Sequence, residues 1–454
     1  LARLFLLVRT MGLGALAAGL AWLVVTKSLV AYLALNAPEA ALRLDAGDPE
    51  ALASLAERHV VAERAGKADT PTPSGAPLGW SELAKAVTQA DRGKAPSAEA
   101  LSDAAARELR EAARIRAETA LARDPINARA LRILGLIAEA AGNEERALAY
   151  MQAAASRSIQ ESWALDWLMR HNYDKKDYAA ALWYADALLR TRSQARARVL
   201  PVLGSIAEKP EARGELDKLL AANPPWRRLV LAALPRAVTD ARTPLLLLLA
   251  LRGTAHPPTS ADIHDYVSLL AANKFYELAY YTWLQFLPPE HLTGAGLLFN
   301  GSFQSQPTGM PFDWVLRAGP GAAVDIVERT DKAGERALLI ELGPGRVELG
   351  GVAQTLLLGP GRYRLEGKWR GEIAGRRGLV WRVACADKGG APLGESPMLL
   401  GTAPSWKDVE LAFTVPPAGC RAQHLRLELD ARMASEQLVS GSVWLDDLAI
   451  VRAE

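Results

Sequence analysis

The sequence predicts a multidomain α + β protein: an N-terminal transmembrane helix, an all-α helical-repeat solenoid and a C-terminal all-β sandwich. Three observations carry that expectation. Residues Met11 to Leu35 are mostly apolar, small residues recur at a fixed interval (Ala113, Ala147, Ala181) within a long stretch of helical periodicity, and strict apolar/polar alternation sets in beyond Trp314. At 454 residues the chain is long enough for two or three domains, each with its own core. The expected boundaries are 1–37 for the membrane segment, 38–290 for the helical domain with an inserted loop at 67–96, and 297–454 for the sandwich.

The apolar run Met11 to Leu35 follows Arg3 and Arg9. At about 1.5 Å per residue it can cross a hydrocarbon core of roughly 30 Å. Positive charge ahead of it puts the N-terminus in the cytoplasm and the rest outside. The expected location is therefore a bacterial inner membrane, single-pass, with the bulk of the chain in the periplasm. A cleaved signal peptide with its apolar core at Met11 to Val25 is the competing reading, and Lys27 favours it. Against cleavage, no clean small-x-small site follows, and Ala37-Pro38 puts proline straight after the best candidate. An anchor with Lys27 near the outer interface is the expected form. A formal net charge of +2 excludes a dedicated nucleic-acid binder, which would carry a clustered basic surface.

From Pro38 to about Pro288 the chain reads as successive helices. Around Ala113, Ala147 and Ala181, small or apolar residues follow four and seven positions later. Asp124-Pro125 opens a helix, and Leu134-Gly135 precedes Ala147 by twelve residues. These positions resemble the tetratricopeptide repeat, whose paired helices approach closely through a small residue early in the second helix. The resemblance covers about Asp124 to Arg190 and departs from pattern at Met169, where a small residue is usual, so looser packing is expected there. Asp48-Pro49 begins the first helix of an earlier repeat whose partner is displaced by Lys67 to Pro96, a surface loop with one short helix at Ser81 to Ala90. The run Leu245 to Leu249 is too short to span a membrane and reads as a buried helix. Thr259 to Asp262 starts a capped helix. In the helix from Lys274 to Phe286, Tyr276, Tyr280 and Trp283 are candidates for a partner-binding groove, although such a stripe is more often packing. Repeats of this kind stack into a solenoid that binds a protein partner, or serves as a rigid spacer.

The stretch Leu287 to Trp314 is the seam. Pro288-Pro289 stop the last helix, and beyond them strands follow by alternation: Arg362 to Arg370, Leu379 to Cys385, Val409 to Val415, Leu425 to Asp430 and Gly441 to Val451. Half-buried strands of this kind specify a two-sheet sandwich. The two cysteines, Cys385 and Cys420, lie on segments that could be neighbouring strands. Outside the cytoplasm they fit one disulfide; two buried thiols are the alternative. The short seam implies that the sandwich docks on the last helical pair through residues such as Trp283 and Phe286.

An opening FNGSFQ, an FDW soon after, a YRLEGKWRG strand, a WKDVELAFTVP strand and a closing SGSVWLDDLAI together resemble the jelly-roll carbohydrate-binding modules found beside cellulases and xylanases. The resemblance spans about Leu297 to Arg452 and implies a C-terminal all-β jelly-roll sandwich. It also implies a structural calcium held by Asn300, Gly301, Asp446 and Asp447. Gln304 stands where an acidic ligand is usual, and Asp446 and Asp447 could instead be strand-end residues capping a turn. Sugar binding would use exposed rings, for which Trp314, Trp369, Trp381 and Trp406 are candidates, with Trp314 and Trp406 nearest to loops. Three of the four alternate in phase with core residues. Arg382, with Arg362, Arg364, Lys368 and Arg426, could recognise an acidic polysaccharide through charge.

No catalytic arrangement is found: no Gly-x-Ser-x-Gly elbow, phosphate loop, dinucleotide fingerprint or His-Glu-x-x-His occurs, and the six histidines are scattered. Asp446 and Asp447 are neighbours on a strand and point to opposite faces, so they do not converge on a glycosidic bond. The expected function is a non-enzymatic, membrane-anchored interaction protein. Its solenoid would bind a protein and its sandwich a glycan, in making, exporting or organising a surface polysaccharide. A purely structural subunit and an unfamiliar glycan-active enzyme are the alternatives.

Overall fold

The computed structural model describes residues 2–67, 103–292, 296–386 and 392–453. The inserted loop and its expected helix at 81–90 lie outside the described residues. The chain forms two compact units, Leu1–Thr239 and Asp240–Glu454.

The first unit is entirely helical. Its first helix, α1, runs Ala2–Asn36, and its stretch Gly19–Asn36 has a mean hydropathy of 1.4, long and apolar enough to cross a membrane. The C-terminal end of α1 is not free. Val30 and Ala34, one helical turn apart, are buried with Ala41 of α2 (Pro38–Leu44) and Ala51 of α3 (Pro49–Lys67), and Lys27 pairs with Asp45 at 2.9 Å. After α4 (Asp103–Arg123) come two helical pairs: α5 (Ala128–Ala140) with α6 (Glu144–Arg157), and α7 (Ser162–Asp174) with α8 (Tyr178–Thr191).

The second pair starts 34 residues after the first, as the alanine spacing implies. Each inter-helix turn holds one left-handed residue, Gly142 or Lys176, followed by a capping side chain, Asn143 or Asp177, that accepts from the backbone three residues on. Ala113, Ala147 and Ala181 are all fully buried. Met169 is fully buried too. The 34-residue spacing shows a size exchange at these positions. Gly135 opposes Met151, whose side chain lies 3.1 Å from where a Cβ on Gly135 would sit; in the next pair Met169 replaces the glycine and Ala185 replaces the methionine. Arg132 is buried in this unit between Glu57 and Glu161, each at 2.8 Å. Three more α-helices, Arg196–Glu208, Pro210–Ala221 and Arg227–Ala233, and short 3-10 turns at Ser193–Ala195 and Leu234–Arg236 follow among its described residues.

The second unit joins the last helices to the sandwich, earlier than the boundary expected at 290. Its helices are Thr243–Leu251, Ser260–Ala272, Tyr276–Gln285 and the single turn Pro289–Leu292. The five-leucine run is in the first of these, with Leu247 and Leu248 buried. Thr259 and Asp262 cap the second reciprocally. Two antiparallel five-stranded sheets follow. Sheet one is ordered β1 (Val315–Arg317), β4 (Gly351–Leu356), β9 (Gln423–Leu429), β6 (Leu379–Cys385), β7 (Pro392–Glu395). Sheet two is ordered β2 (Ala322–Glu328), β3 (Arg336–Leu342), β10 (Val439–Arg452), β5 (Gly361–Gly375), β8 (Gly401–Val415).

The inward residues of both sheets, among them Leu365, Val383, Leu411, Leu427 and Leu445, form one core. The disulfide Cys385–Cys420 ties the end of β6 to the loop entering β9. The last helical pair docks on the sandwich as the short seam implies. Trp283 meets Phe299 at 4.9 Å and Phe312 at 6.0 Å, Tyr280 meets Phe312 at 5.2 Å, and Phe286 lies beside Phe299 and Met310.

Candidate functional site

A groove of about 900 Å³ lies across the solvent face of sheet one. Its floor follows from strand periodicity. In β9, Leu425 and Leu427 turn into the core, so His424, Arg426 and Glu428 turn out. Register then sets Val315, Ala353, Arg426 and Arg382 side by side across four strands, with Thr355 beside His424 in the next row. Exposed Arg317 of β1 adds a second guanidinium at one end, and the helical pair supplies a wall through Ala271, Ala272, Lys274 and Tyr276. Lys274 is left-handed, at φ 65°, which ends the helix where the wall begins. Tyr276 donates to the Ala386 carbonyl at 3.3 Å, and Arg421 lies over its ring at 5.9 Å, so the wall is fastened beside the disulfide.

Like charges directly opposed across strands repel, and Arg382 and Arg426 are such a pair. Acidic residues resolve the conflict unevenly. Arg382 is held by Glu395 at 2.9 Å, Asp430 at 2.6 Å and Glu428 at 3.4 Å. Arg426, 53% exposed, has only Glu428 at 3.8 Å. Arg426 and Arg317 are thus the cations best placed to meet a ligand in the groove. His424 accepts or donates with Thr355 at 3.3 Å, and burial, reinforced by the Arg426 charge, holds its pKa below the ordinary imidazole value. The groove therefore offers two guanidiniums, a neutral imidazole, a hydroxyl and carboxylates: a polar binding surface without a stacked aromatic floor.

That composition corrects the ring expectation. Trp314 and Trp381 are 0% exposed and face each other in the core with centroids 6.0 Å apart, and Trp369 is buried with them. Their in-phase alternation with leucine and valine was the governing signal. Trp406 is half-buried on the other sheet, its indole N–H donating to Asp331 at 2.9 Å and its ring under the guanidiniums of Arg329 and Arg370. None of the four lines the groove. Of the charged candidates, Arg382 is on the right face but already held by three carboxylates, whereas Arg426 is available.

The aromatic stripe also has a structural destination. Tyr276, Tyr280 and Trp283 turn toward the sandwich and hold the helical pair to it, so they do not form a partner groove of the solenoid. Tyr276 alone reaches the groove, from its wall.

The four residues expected around calcium are brought together but are otherwise engaged. Asn300 exchanges hydrogen bonds with the backbone of Ser305, and its carbonyl accepts from Trp314. The Gly301 carbonyl accepts from Leu448 at 2.9 Å, and a Cβ at Gly301 would lie 1.8 Å from the Leu448 oxygen, which explains the glycine by close approach rather than by ligation. Asp446 is paired with Arg329 at 2.8 Å and Asp447 with Lys368 at 3.1 Å. Among the described residues no group of three or more His, Cys, Asp or Glu side chains is arranged to hold a metal ion. The residues present do not fit calcium.

His424, Lys274 and Arg317 were not foreseen as site residues. The alternation in β9 already put His424 and Arg426 on a polar face, but which polar face becomes a groove depends on the helical wall, and no local pattern announces that.

The chain matches no protein-family model and no curated protein sequence. Its C-terminal third is similar in shape to solved carbohydrate-binding modules. A CBM4 structure shows 14% identity over 34% of this chain and 99% of that one, at a TM-score of 0.26. The CBM22-1 xylan-binding domain of Paenibacillus barcinonensis Xyn10C shows 17% identity over 34% and 94%, at 0.24. A CBM61 module in complex with β-1,4-galactotriose shows 20% identity over 35% and 98%, at 0.23. At these TM-scores the description of the sandwich rests on its own strand order and register.

Proposed function

We propose that this chain is a single-pass, membrane-anchored interaction protein of the bacterial envelope without catalytic activity. In this reading α1 crosses the inner membrane, the repeated helical pairs bind a protein partner, and the sandwich binds a polysaccharide, as an accessory to making or exporting a surface glycan. The observation that carries the glycan part is the groove on sheet one. It is open to solvent, about 900 Å³ in volume, and lined by hydrogen-bonding groups, with Arg317 and Arg426 unsaturated by close carboxylates among the described residues. Two guanidiniums along a groove favour a glycan bearing carboxylates, which they can bind bidentately. A charged hydrogen bond is worth about 1.5–3 kcal/mol, so each arginine should matter by roughly tenfold or more.

The test is a titration of the full chain in detergent with uronic-acid oligosaccharides and with neutral ones. Arg317→Ala and Arg426→Ala should each weaken binding of the acidic series while leaving the thermal midpoint in place. If no oligosaccharide binds, or if both variants bind unchanged, the glycan reading fails. A second reading, a structural subunit whose sandwich contacts proteins, is favoured by the burial of Trp314, Trp369 and Trp381, which leaves the groove without a stacking ring. A stable complex that crosslinks in membranes and ignores added glycan would establish it.

A further inference from the structure

We infer that Arg329 occupies, as an internal cation, the place where a calcium ion would be needed to hold the end strand of this sandwich, so that the module is independent of divalent metal. The guanidinium lies in the loop after β2 and is nearly buried. It binds Asp331 bidentately at 3.1 and 2.9 Å, Asp446 of β10 at 2.8 Å and Glu335 at 3.4 Å. Trp406 closes the cage, its ring 4.6 Å from the guanidinium carbon and its N–H bonded to Asp331. One group therefore ties the β2–β3 loop to β10 and β8, in addition to the ladders those strands already form, as a structural ion can.

Charge and donor accounting both exclude an added ion. Three carboxylates, Asp331, Glu335 and Asp446, face three cations, Arg329, Arg370 and Lys332. The cluster is neutral as it stands, and a divalent ion would overcharge it unless Arg329 left. The oxygens a hard cation would seek are already taken: Asp446 Oδ1 accepts the Asp447 amide at 2.8 Å, and the carbonyls of Asn300 and Gly301 accept from Trp314 and Leu448. Gln304 carries no charge and is spent on the backbone of Arg336. The Arg329 guanidinium also holds the Asp331 carboxyl far below the ordinary carboxylate range, as a bound cation would.

The experiment follows the thermal midpoint of the full chain by tryptophan fluorescence in chelator and in calcium, with equilibrium dialysis against radioactive calcium. The midpoint of the unchanged chain should be the same in both, with no bound calcium that Asp446→Asn removes. Arg329→Ala, which releases the three carboxylates, should lower the midpoint in chelator and recover part of it in calcium; Arg329→Lys, which keeps one positive charge, should not respond to calcium. A calcium-dependent rise in the unchanged chain that Asp446→Asn abolishes would overturn the inference. So would a folded Arg329→Ala chain whose midpoint neither falls nor responds to calcium. The result for the unchanged chain decides the matter even where Arg329→Ala does not fold.

Discussion

Breaking the Cys385–Cys420 bond tests the coupling between fold and groove. The bond closes a loop of 35 residues in sequence separation, running from the end of β6 and containing β7 and β8. In the chain-entropy description, releasing a loop of that length from the unfolded state costs the fold about 4 kcal/mol. For a unit of this size that corresponds to a fall in midpoint of roughly 8–16 °C. The loss should also have a place. Cys420 is buried, and its carbonyl accepts from Gln423 at 3.1 Å, at the start of the strand that carries His424 and Arg426. Ala386, next to Cys385, receives both the Ala422 carbonyl's partner bond, as donor, and the Tyr276 hydroxyl, as acceptor. A Cys385→Ser/Cys420→Ser chain should therefore lose stability and also show faster amide exchange along β9 and at Tyr276. The assay is paired: chemical denaturation under oxidising conditions, and hydrogen exchange read by mass spectrometry. A loss below about 1 kcal/mol, or exchange that does not quicken along β9 or at Tyr276, would refute the reasoning that this bond fastens the groove wall.

Two other outcomes follow from buried charge. His424 has a pKa held below the ordinary 6.5 by burial and by Arg426, so the folded state takes up its proton later than the unfolded chain does. The stability this contributes is complete above pH 6.5 and is lost as pH falls from there through the folded-state value; His424→Asn should flatten that loss in denaturation curves measured at stepped pH. In the first unit, Arg132→Ala removes the buried cation between Glu57 and Glu161, leaving Glu57 with Arg129 at 3.6 Å, and should cost about 3–5 kcal/mol, read by the denaturant midpoint.

Much of the architecture was legible because it depends on period. Tyr363, Leu365, Gly367 and Trp369 turn inward from β5 as their alternation requires, and the 34-residue recurrence of alanine marks helical pairs that close on fully buried small residues. The role of the indoles was harder to read, because an indole suits a core and a sugar platform equally and only its phase with neighbouring leucines separates the two. The same holds for Tyr280 and Trp283, whose stripe is consistent with a free groove until the sandwich is seen to cover it. Asp446 and Asp447 lie together at one corner of the sandwich, but each is answered by a distant cation, Asp446 by Arg329, more than a hundred residues earlier, and Asp447 by Lys368, at distances no motif spans.

The burial of Val30 and Ala34 gives α1 a second role. A helix joined to its domain by a supple linker lets that domain tumble over the membrane, whereas here the last turns of α1 share a core with Ala41 and Ala51 and are pinned by Lys27 to Asp45. The helix then works as a keyed shaft. Which side of α1 carries the rest of the first unit is decided by residues one turn apart; if α1 crosses a bilayer, as proposed, rolling it about its axis would swing that unit with it. A neighbouring membrane helix that grips α1 would thereby choose which face of the first unit its own extramembrane parts encounter. Inserting one or two residues between Thr26 and Val30 should rotate that face by about 100° per residue without touching the unit itself.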